Sequence, residues 1–391
     1  MAKVQNSRPP LTKSEVLAFV VGLVAAVMLI ERASSHWMAE AAQPIETHST
    51  RQVLLDSAPK DFPRPEPGTP SLWIVGNSHV FGLPGIKKGD PLRLEVNGAL
   101  VDELSSRIDD HRQSHDVLYY RLAYPNYLPF EMLISIARLR QLDHHPRVVV
   151  LGLSWTNLAR SRDPRTTMRD ALRDRQFAAY FAKLLRDPNL SISPQVHEEF
   201  EENCRQIEAD ERQQQTLSHA DKLETVATHW LGERITLIGK SEDLRARLYR
   251  STVMPVQDAL AGETLQYGVV ESDLRFNVSC LVSVFRLLSE MKASVMIYVA
   301  PARSDLPAYI TPERERQVLE QIEAEAEKQG FVWVDASNVV PNEYWGWSDN
   351  VQDRAHFVEP GHQRLAQFLF EAGAKRGLWE KLSTPQRASA K

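Results

Sequence analysis

Arg147-Val148-Val149-Val150-Leu151-Gly152-Leu153 decides the fold. After Arg147 the run offers no polar side chain at odd or even positions, so a strand made from it has no face for water. Strands covered on both sides read this way, and they belong to parallel sheets with helices on each face. Short β-rich runs recur at 72–75, 117–123, 295–300 and 331–334, and helical patterns separate them at about 99–113, 129–142, 272–291 and 312–329. A last helix begins near Pro360, a favoured first-turn residue, and carries Leu365, Phe368, Leu369 and Ala372. Strands alternating with helices predict a doubly wound α/β fold with right-handed crossovers.

The composition agrees. Of 391 residues, 43% are hydrophobic and 25% charged, which excludes wholesale disorder and a polytopic membrane protein. The net charge of −5, from 46 Lys+Arg against 51 Asp+Glu, gives no general signal for nucleic acid. Cys204 and Cys280 form no CxxC or Cys/His spacing. That argues against a zinc site and a disulfide-dense scaffold, and no metal or cofactor is expected. Cys280 lies in a helical apolar pattern, which suits a buried free thiol; a bridge to Cys204 stays open.

One segment departs from the average. Residues 16–30 read VLAFVVGLVAAVMLI without a charge, after Lys3, Arg8 and Lys13 and before Glu31, Arg32 and Trp37. Fifteen helical residues span about 22 Å, short of a ~30 Å hydrocarbon core, but the flanks complete a span. Lys13 and Arg32 would snorkel and Trp37 would sit at an interface. The rival is a cleavable signal peptide, with Ala39-Glu40-Ala41 as its site, far from the apolar run. We read residues 1–38 as an uncleaved single-pass anchor. The basic flank then keeps the N-terminus inside and the C-terminal body extracytoplasmic.

Residues 39–70 hold six prolines and read as a linker. The α/β domain is expected over 71–157 and 271–378, a polar helical insertion over 158–270, and a tail over 379–391. The charge runs of the insertion, such as Glu198-Glu199-Phe200-Glu201-Glu202, read as a solvated helix face.

Two segments carry chemistry. Gly76-Asn77-Ser78 follows the first strand of the domain, so Ser78 sits at the carboxyl edge where such sheets bind ligands, beside backbone N–H groups able to hold an oxyanion. Asp353-Arg354-Ala355-His356 precedes the last helix. A loop there would bring the His356 imidazole towards the serine while the Asp353 carboxylate steadies its tautomer. A hydroxyl needs such a base to attack near neutral pH.

These blocks resemble the SGNH (GDSL-type) hydrolase superfamily. Gly76-Asn77-Ser78 matches its G-D-S block, and Asp353-x-x-His356 with Gly361-His362 matches its D-x-x-H block and helix start. The resemblance covers roughly 70–157 and 292–377. It implies a Ser78-His356-Asp353 acyl-transfer site on a flavodoxin-like three-layer sandwich. The middle blocks depart from the family. Ala123-Tyr124-Pro125-Asn126 stands where a glycine is expected, and Ser154 stands at the usual Asn position, with Asn157 three further on. The oxyanion hole can therefore use the Ser78 N–H with Asn126, Ser154 or Asn157. The anchor, the exported body and the altered blocks together resemble two membrane-anchored groups: the D-alanyl transfer protein of teichoic-acid modification and the alginate O-acetylation SGNH proteins. That resemblance implies a membrane-bound O-acyltransferase as partner and an envelope or exported polysaccharide as substrate. The alternative is a non-catalytic tethered partner of such an acyltransferase.

Other residues read plainly. His362 is expected to pack against the last helix, and His144-His145 to lie in a turn. Trp345 and Trp347 suit either a sugar or acyl site or the core, and Arg303 reads as solvated.

Overall fold

The computed structural model describes residues 52–54, 68–77, 80, 99–123, 127–159, 171–216, 269–305, 310–348 and 351–383. All of these but Thr216 belong to one compact unit within Pro44–Gln215 and Glu263–Lys391. The expected anchor and most of the linker lie outside the described residues.

The main sheet has six parallel strands: β1 (Gln52–Leu54), β2 (Ser71–Gly76), β3 (Leu118–Ala123), β4 (Val148–Leu153), β5 (Ser294–Val299) and β6 (Val332–Asp335). Their order is β1-β3-β2-β4-β5-β6. Without the short edge strand β1 this is the doubly wound 2-1-3-4-5 arrangement of flavodoxin-like folds. The predicted parallel sheet is therefore present, its strands within two residues of the expected bounds. β1 is the addition. It pairs with β3 through Gln52↔Tyr119 and Leu54↔Arg121, inside the stretch read as linker. Three residues, one of them polar, carry too little periodicity to announce a strand.

Period-2 alternation divides the strands between two cores. Trp73, Val75, Tyr120, Leu122, Val149, Leu151, Val295 and Ile297 join one apolar cluster, while Leu72, Ile74, Tyr119, Val148, Val150, Met296 and Tyr298 join the other. Every residue of β2 and β4 is buried. On the second face lie α1 (Ala99–Arg112) and, after β6, α8 (Glu359–Ala374). The first face is covered by α2 (Pro129–Gln141), α6 (Glu271–Glu290) and α7 (Pro312–Lys328). The chain steps one way from β2 to β3 and back across β2 to β4. A constant right hand then puts α1 and α2 on opposite faces.

Between β4 and α6 come α3 (Trp155–Leu158), where the insertion begins, and in the described part of the insertion α4 (Arg175–Leu185) and α5 (Pro194–Thr216). Asp174 caps α4, accepting from the N–H groups of Gln176 at 3.0 Å and Phe177 at 3.2 Å, while Arg138 of α2 donates to its other oxygen at 2.8 Å. Phe177, Phe181 and Leu184 of α4 and Val196, Phe200 and Ile207 of α5 are buried in the same core as α2 and α6. The opposite face of α5 carries exposed ion pairs, Glu202 with Arg205 and Glu208 with Arg212, as a solvated face should. This part of the insertion is thus an extension of one helical layer. Cys204 and Cys280 are free thiols, and burial pushes the Cys280 pKa well up.

A second, two-stranded sheet follows β6: β7 (Trp345–Ser348) and β8 (Val351–Phe357), antiparallel. Asp353 and His356, expected on a loop, are on β8. The strand is hidden in the sequence because its residues alternate in no apolar pattern.

Candidate active site

In an open α/β sheet the ligand crevice lies beyond the carboxyl ends of the strands, where the strand order reverses. Here that point falls between β2 and β4. The two strand ends touch: a Cβ placed on Gly76 would meet the Gly152 carbonyl oxygen at 3.8 Å and, prohibitively, the Val80 side chain at 2.5 Å. Glycine at 76 is what lets the chain turn directly off β2. The turn is closed by the Val80 N–H donating to the Asn77 carbonyl at 3.0 Å, and the Asn77 side chain is buried. Ser78 comes next in the chain and lies outside the described residues, as does Asn126 after β3.

Ser154 is half-buried at the exit of β4. Its carbonyl accepts the Leu158 N–H at 3.3 Å and so opens α3. Two side chains clamp that turn. The Trp155 indole donates to Glu315 of α7 at 2.7 Å, and Asn277 of α6 donates through Nδ2 to the Leu158 carbonyl at 3.0 Å. Asn157 lies in α3; its side chain is not among those described. Glu315 and Asn277 give this edge its rigidity and carried no signal in the sequence, because each acts on a partner more than 100 positions away. Gly152 at the end of β4 is required by packing, since a Cβ there would stand 2.5 Å from the Tyr298 hydroxyl.

The β7–β8 pair reaches the same edge by way of the last helix. α1 and α8 run side by side in the same direction, with His111 and Phe370 near their C-terminal ends in edge-on contact at 5.6 Å. Their first turns therefore both lie at the carboxyl edge. Between Trp345↔Phe357 and Trp347↔Gln352 the pairing jumps, so 353–356 are four residues facing Gly346 alone. This irregularity frees residues 353–356 from strict alternation. His356 is half-buried; the Asp353 side chain is not among those described.

Next to His356 in the chain an aromatic stack begins. Phe357 packs edge-on against Trp345 at 4.7 Å and against His362 at 5.2 Å. Trp345 is 3% exposed and donates its indole N–H to the Val340 carbonyl at 3.3 Å. It is a core residue and lines no open site; the Trp347 side chain lies outside those described. Gly361 admits this packing, because a Cβ there would come within 2.6 Å of Phe357. His362 packs at the start of α8, as expected, and is fully buried. Burial pushes its pKa down to about 4, and His356 acts the same way, against the Phe357 carbonyl. At neutral pH it is an uncharged imidazole.

Arg303, after β5, departs from the solvated arginine expected there. Its side chain is 7% exposed and grips Asp305 with two bonds, 2.7 Å and 3.0 Å. His144 is buried at the opposite end of the sheet, and no metal-ligating cluster occurs among the described residues.

No family model matches the chain, and no curated protein matches it in sequence. Among solved structures it is similar to an active-site mutant of a family two carbohydrate esterase from Clostridium thermocellum, at 10% identity and a TM-score of 0.34, over 80% of this chain. The chain spans 66% of that enzyme, just under two thirds. It is also similar to an α/β hydrolase enzyme from the metagenome of Lake Arreo, Spain, at 10% identity and a TM-score of 0.37, over 79% of this chain and 97% of that one.

Proposed function

We propose that this protein is a serine acyl-transfer enzyme of the SGNH kind, an esterase or O-acyltransferase. The observation that carries the reading is the reversal of strand order at β2 and β4. Open α/β sheets bind ligands beyond the strand ends at such a point, and it is there that Gly76-Asn77 leads on to Ser78 and that Ser154 follows β4. In the proposed reaction the Ser78 hydroxyl attacks an acyl carbonyl and His356 takes its proton. His356 then returns the proton to the departing alcohol, leaving an acyl-serine. Water or a sugar hydroxyl, deprotonated by the same imidazole, takes the acyl group and regenerates Ser78. Asp353 orients His356, and the Ser78 N–H with Asn126, Ser154 or Asn157 holds the oxyanion.

Residues 16–30 anchor the body outside a membrane in this reading. Its acceptor is then an envelope or exported polysaccharide, and its acyl donor a membrane-bound O-acyltransferase.

A fluorophosphonate probe on the purified chain tests the chemistry. Labelling is expected in the wild type and lost in both Ser78→Ala and His356→Ala. Labelling that survives Ser78→Ala, or a folded wild type that stays unlabelled, overturns the triad.

A further inference from the structure

α3 has a shape that its own residues do not secure. It is a single turn, Trp155-Thr156-Asn157-Leu158, closed by the Leu158 N–H donating to the Ser154 carbonyl at 3.3 Å. Starting a helix is unfavourable, with a nucleation constant of about 10⁻³, and Trp, Thr and Asn are not strong helix formers. The turn is therefore held from outside. Among the described residues two side chains do so, one at each end. At its first residue the buried Trp155 indole donates to the Glu315 carboxylate at 2.7 Å, from the first turn of α7. At its last residue the Leu158 carbonyl accepts from Nδ2 of the fully buried Asn277 of α6 at 3.0 Å. Neither bond serves the helix that donates the side chain; the partners lie 160 and 119 positions apart in the chain. Ser154 stands directly before the pinned turn and Asn157 within it, so these bonds place both.

We propose that Glu315 is a positioning residue for the acyl-transfer site: through Trp155, and together with Asn277, it fixes α3 and with it the place of Ser154 and Asn157. The inference rests on the acyl-transfer reading for its purpose and on the two hydrogen bonds for its substance. Its consequence is specific. An oxyanion donor acts only within about 2.7–3.1 Å of the place where the negative charge forms. A turn that drifts by a fraction of that distance weakens the transition state, while the uncharged ground state, which makes no such demand, is little affected. Loosening α3 should therefore slow the chemical step and leave binding alone. Arg314, next to Glu315, provides the contrast. It pairs with Glu271 at the start of α6 and so joins the same two helices without touching α3.

The test compares Glu315→Ala, Glu315→Gln and Arg314→Gln in the full chain. Two readouts are followed: fluorophosphonate labelling as a function of probe concentration, and the backbone amide signals of Ser154 and Asn157 in NMR spectra of serine- and asparagine-labelled protein. In the labelling step the Ser78 oxygen–phosphorus bond forms, the phosphorus–fluorine bond breaks, fluoride leaves and the serine proton passes to His356. For Glu315→Ala the maximal labelling rate should fall about ten-fold or more, with the half-saturating probe concentration within about two-fold of wild type. The Ser154 and Asn157 signals should move. Glu315→Gln, which keeps an oxygen to accept the indole N–H, should recover most of the rate, and Arg314→Gln should label as wild type. A wild-type maximal rate with unmoved signals in folded Glu315→Ala would overturn the proposal. Equal slowing in Glu315→Ala and Arg314→Gln would overturn it too, since the role would then be to join helices. Should Glu315→Ala not fold, Trp155→Phe removes the same bond from the other side and is judged by the same outcomes. If the wild type shows no Ser78-dependent labelling, the functional reading falls. The amide signals then decide the positioning alone: movement in Glu315→Ala that Glu315→Gln reverses sustains it, and unmoved signals overturn it.

Discussion

Apart from the buried His144, the histidines described at the amino edge of the sheet meet carboxylates, whereas at the carboxyl edge the fully buried His362 packs on an aromatic ring. At the amino edge each described pair is closed. His115 Nδ1 bonds a buried Asp109 oxygen at 2.9 Å while Tyr119 donates to the other at 2.7 Å. His111 meets Glu380 at 3.3 Å, and His145 meets Asp143 at 3.2 Å. By distance alone His115–Asp109 would pass for a catalytic dyad. Yet it lies at the edge opposite to the one where open α/β sheets bind ligands, and its histidine is 62% exposed. At the carboxyl edge His356 lies on a bulged strand, and His362, at the start of the helix that follows, is buried and uncharged at neutral pH. A histidine beside a carboxylate is thus weak evidence for a site. Strand end and burial discriminate better.

The largest effect should separate the two edges outright. His356→Ala is expected to abolish fluorophosphonate labelling, a loss on the order of 10³-fold or more, as when one member of a triad is removed. His115→Ala, which breaks the look-alike pair, should label at the wild-type rate. Equal loss in both variants would mean that histidine removal acts through folding, and the comparison would fail.

A stability measurement sharpens the contrast next. His362 has an ordinary pKa of 6.5 and a folded value of about 4. Between those values the unfolded chain takes up a proton that the folded chain refuses. Its contribution is therefore complete above about pH 6.5 and is lost as pH falls towards 4, by an amount of order 3 kcal/mol at most. Denaturant melts from pH 7 to 4 should show this loss in the wild type. The curve should flatten in His362→Phe, and an unchanged slope would show that other groups govern acid unfolding.

How much of this was legible in the sequence follows from the same physics. The strands with two apolar faces and the amphipathic helices between them announce themselves, and the last helix does so through Pro360 in its first turn. That was enough for the sheet, and with the order of its strands came the edge where a site belongs. β1 and the β7–β8 pair were hidden because short or polar strands lack a periodic signature. Arg303 was misread because its partner Asp305 lies two residues on, where only a folded turn brings the charges together. The clamps on α3 were invisible for the opposite reason, since Glu315 and Asn277 find their partners only through the fold. Of the proposed site, Ser154 and His356 could be followed to their elements. The structure does not describe Ser78 or Asn126, nor the side chains of Asp353 and Asn157, so for these the sequence remains the argument.

The smallest effect belongs to the amino edge and completes the comparison. Tyr119→Phe removes one donor from Asp109 but leaves its carboxylate buried with His115 as a partner. Burial first, and then Asp109 itself, pushes the Tyr119 pKa far up, so the phenol stays a donor across the working pH range. Losing a hydrogen bond to a buried charged acceptor costs about 1–3 kcal/mol, and the exposed His115 can relax towards the freed oxygen, which favours the lower figure. The melting temperature should therefore fall by a few degrees, with the labelling rate and its pH profile at wild-type values. A labelling defect here, with the fold intact, would mean that the two edges are coupled through α1, which runs from one to the other. The amino edge would then have to be counted as part of the site.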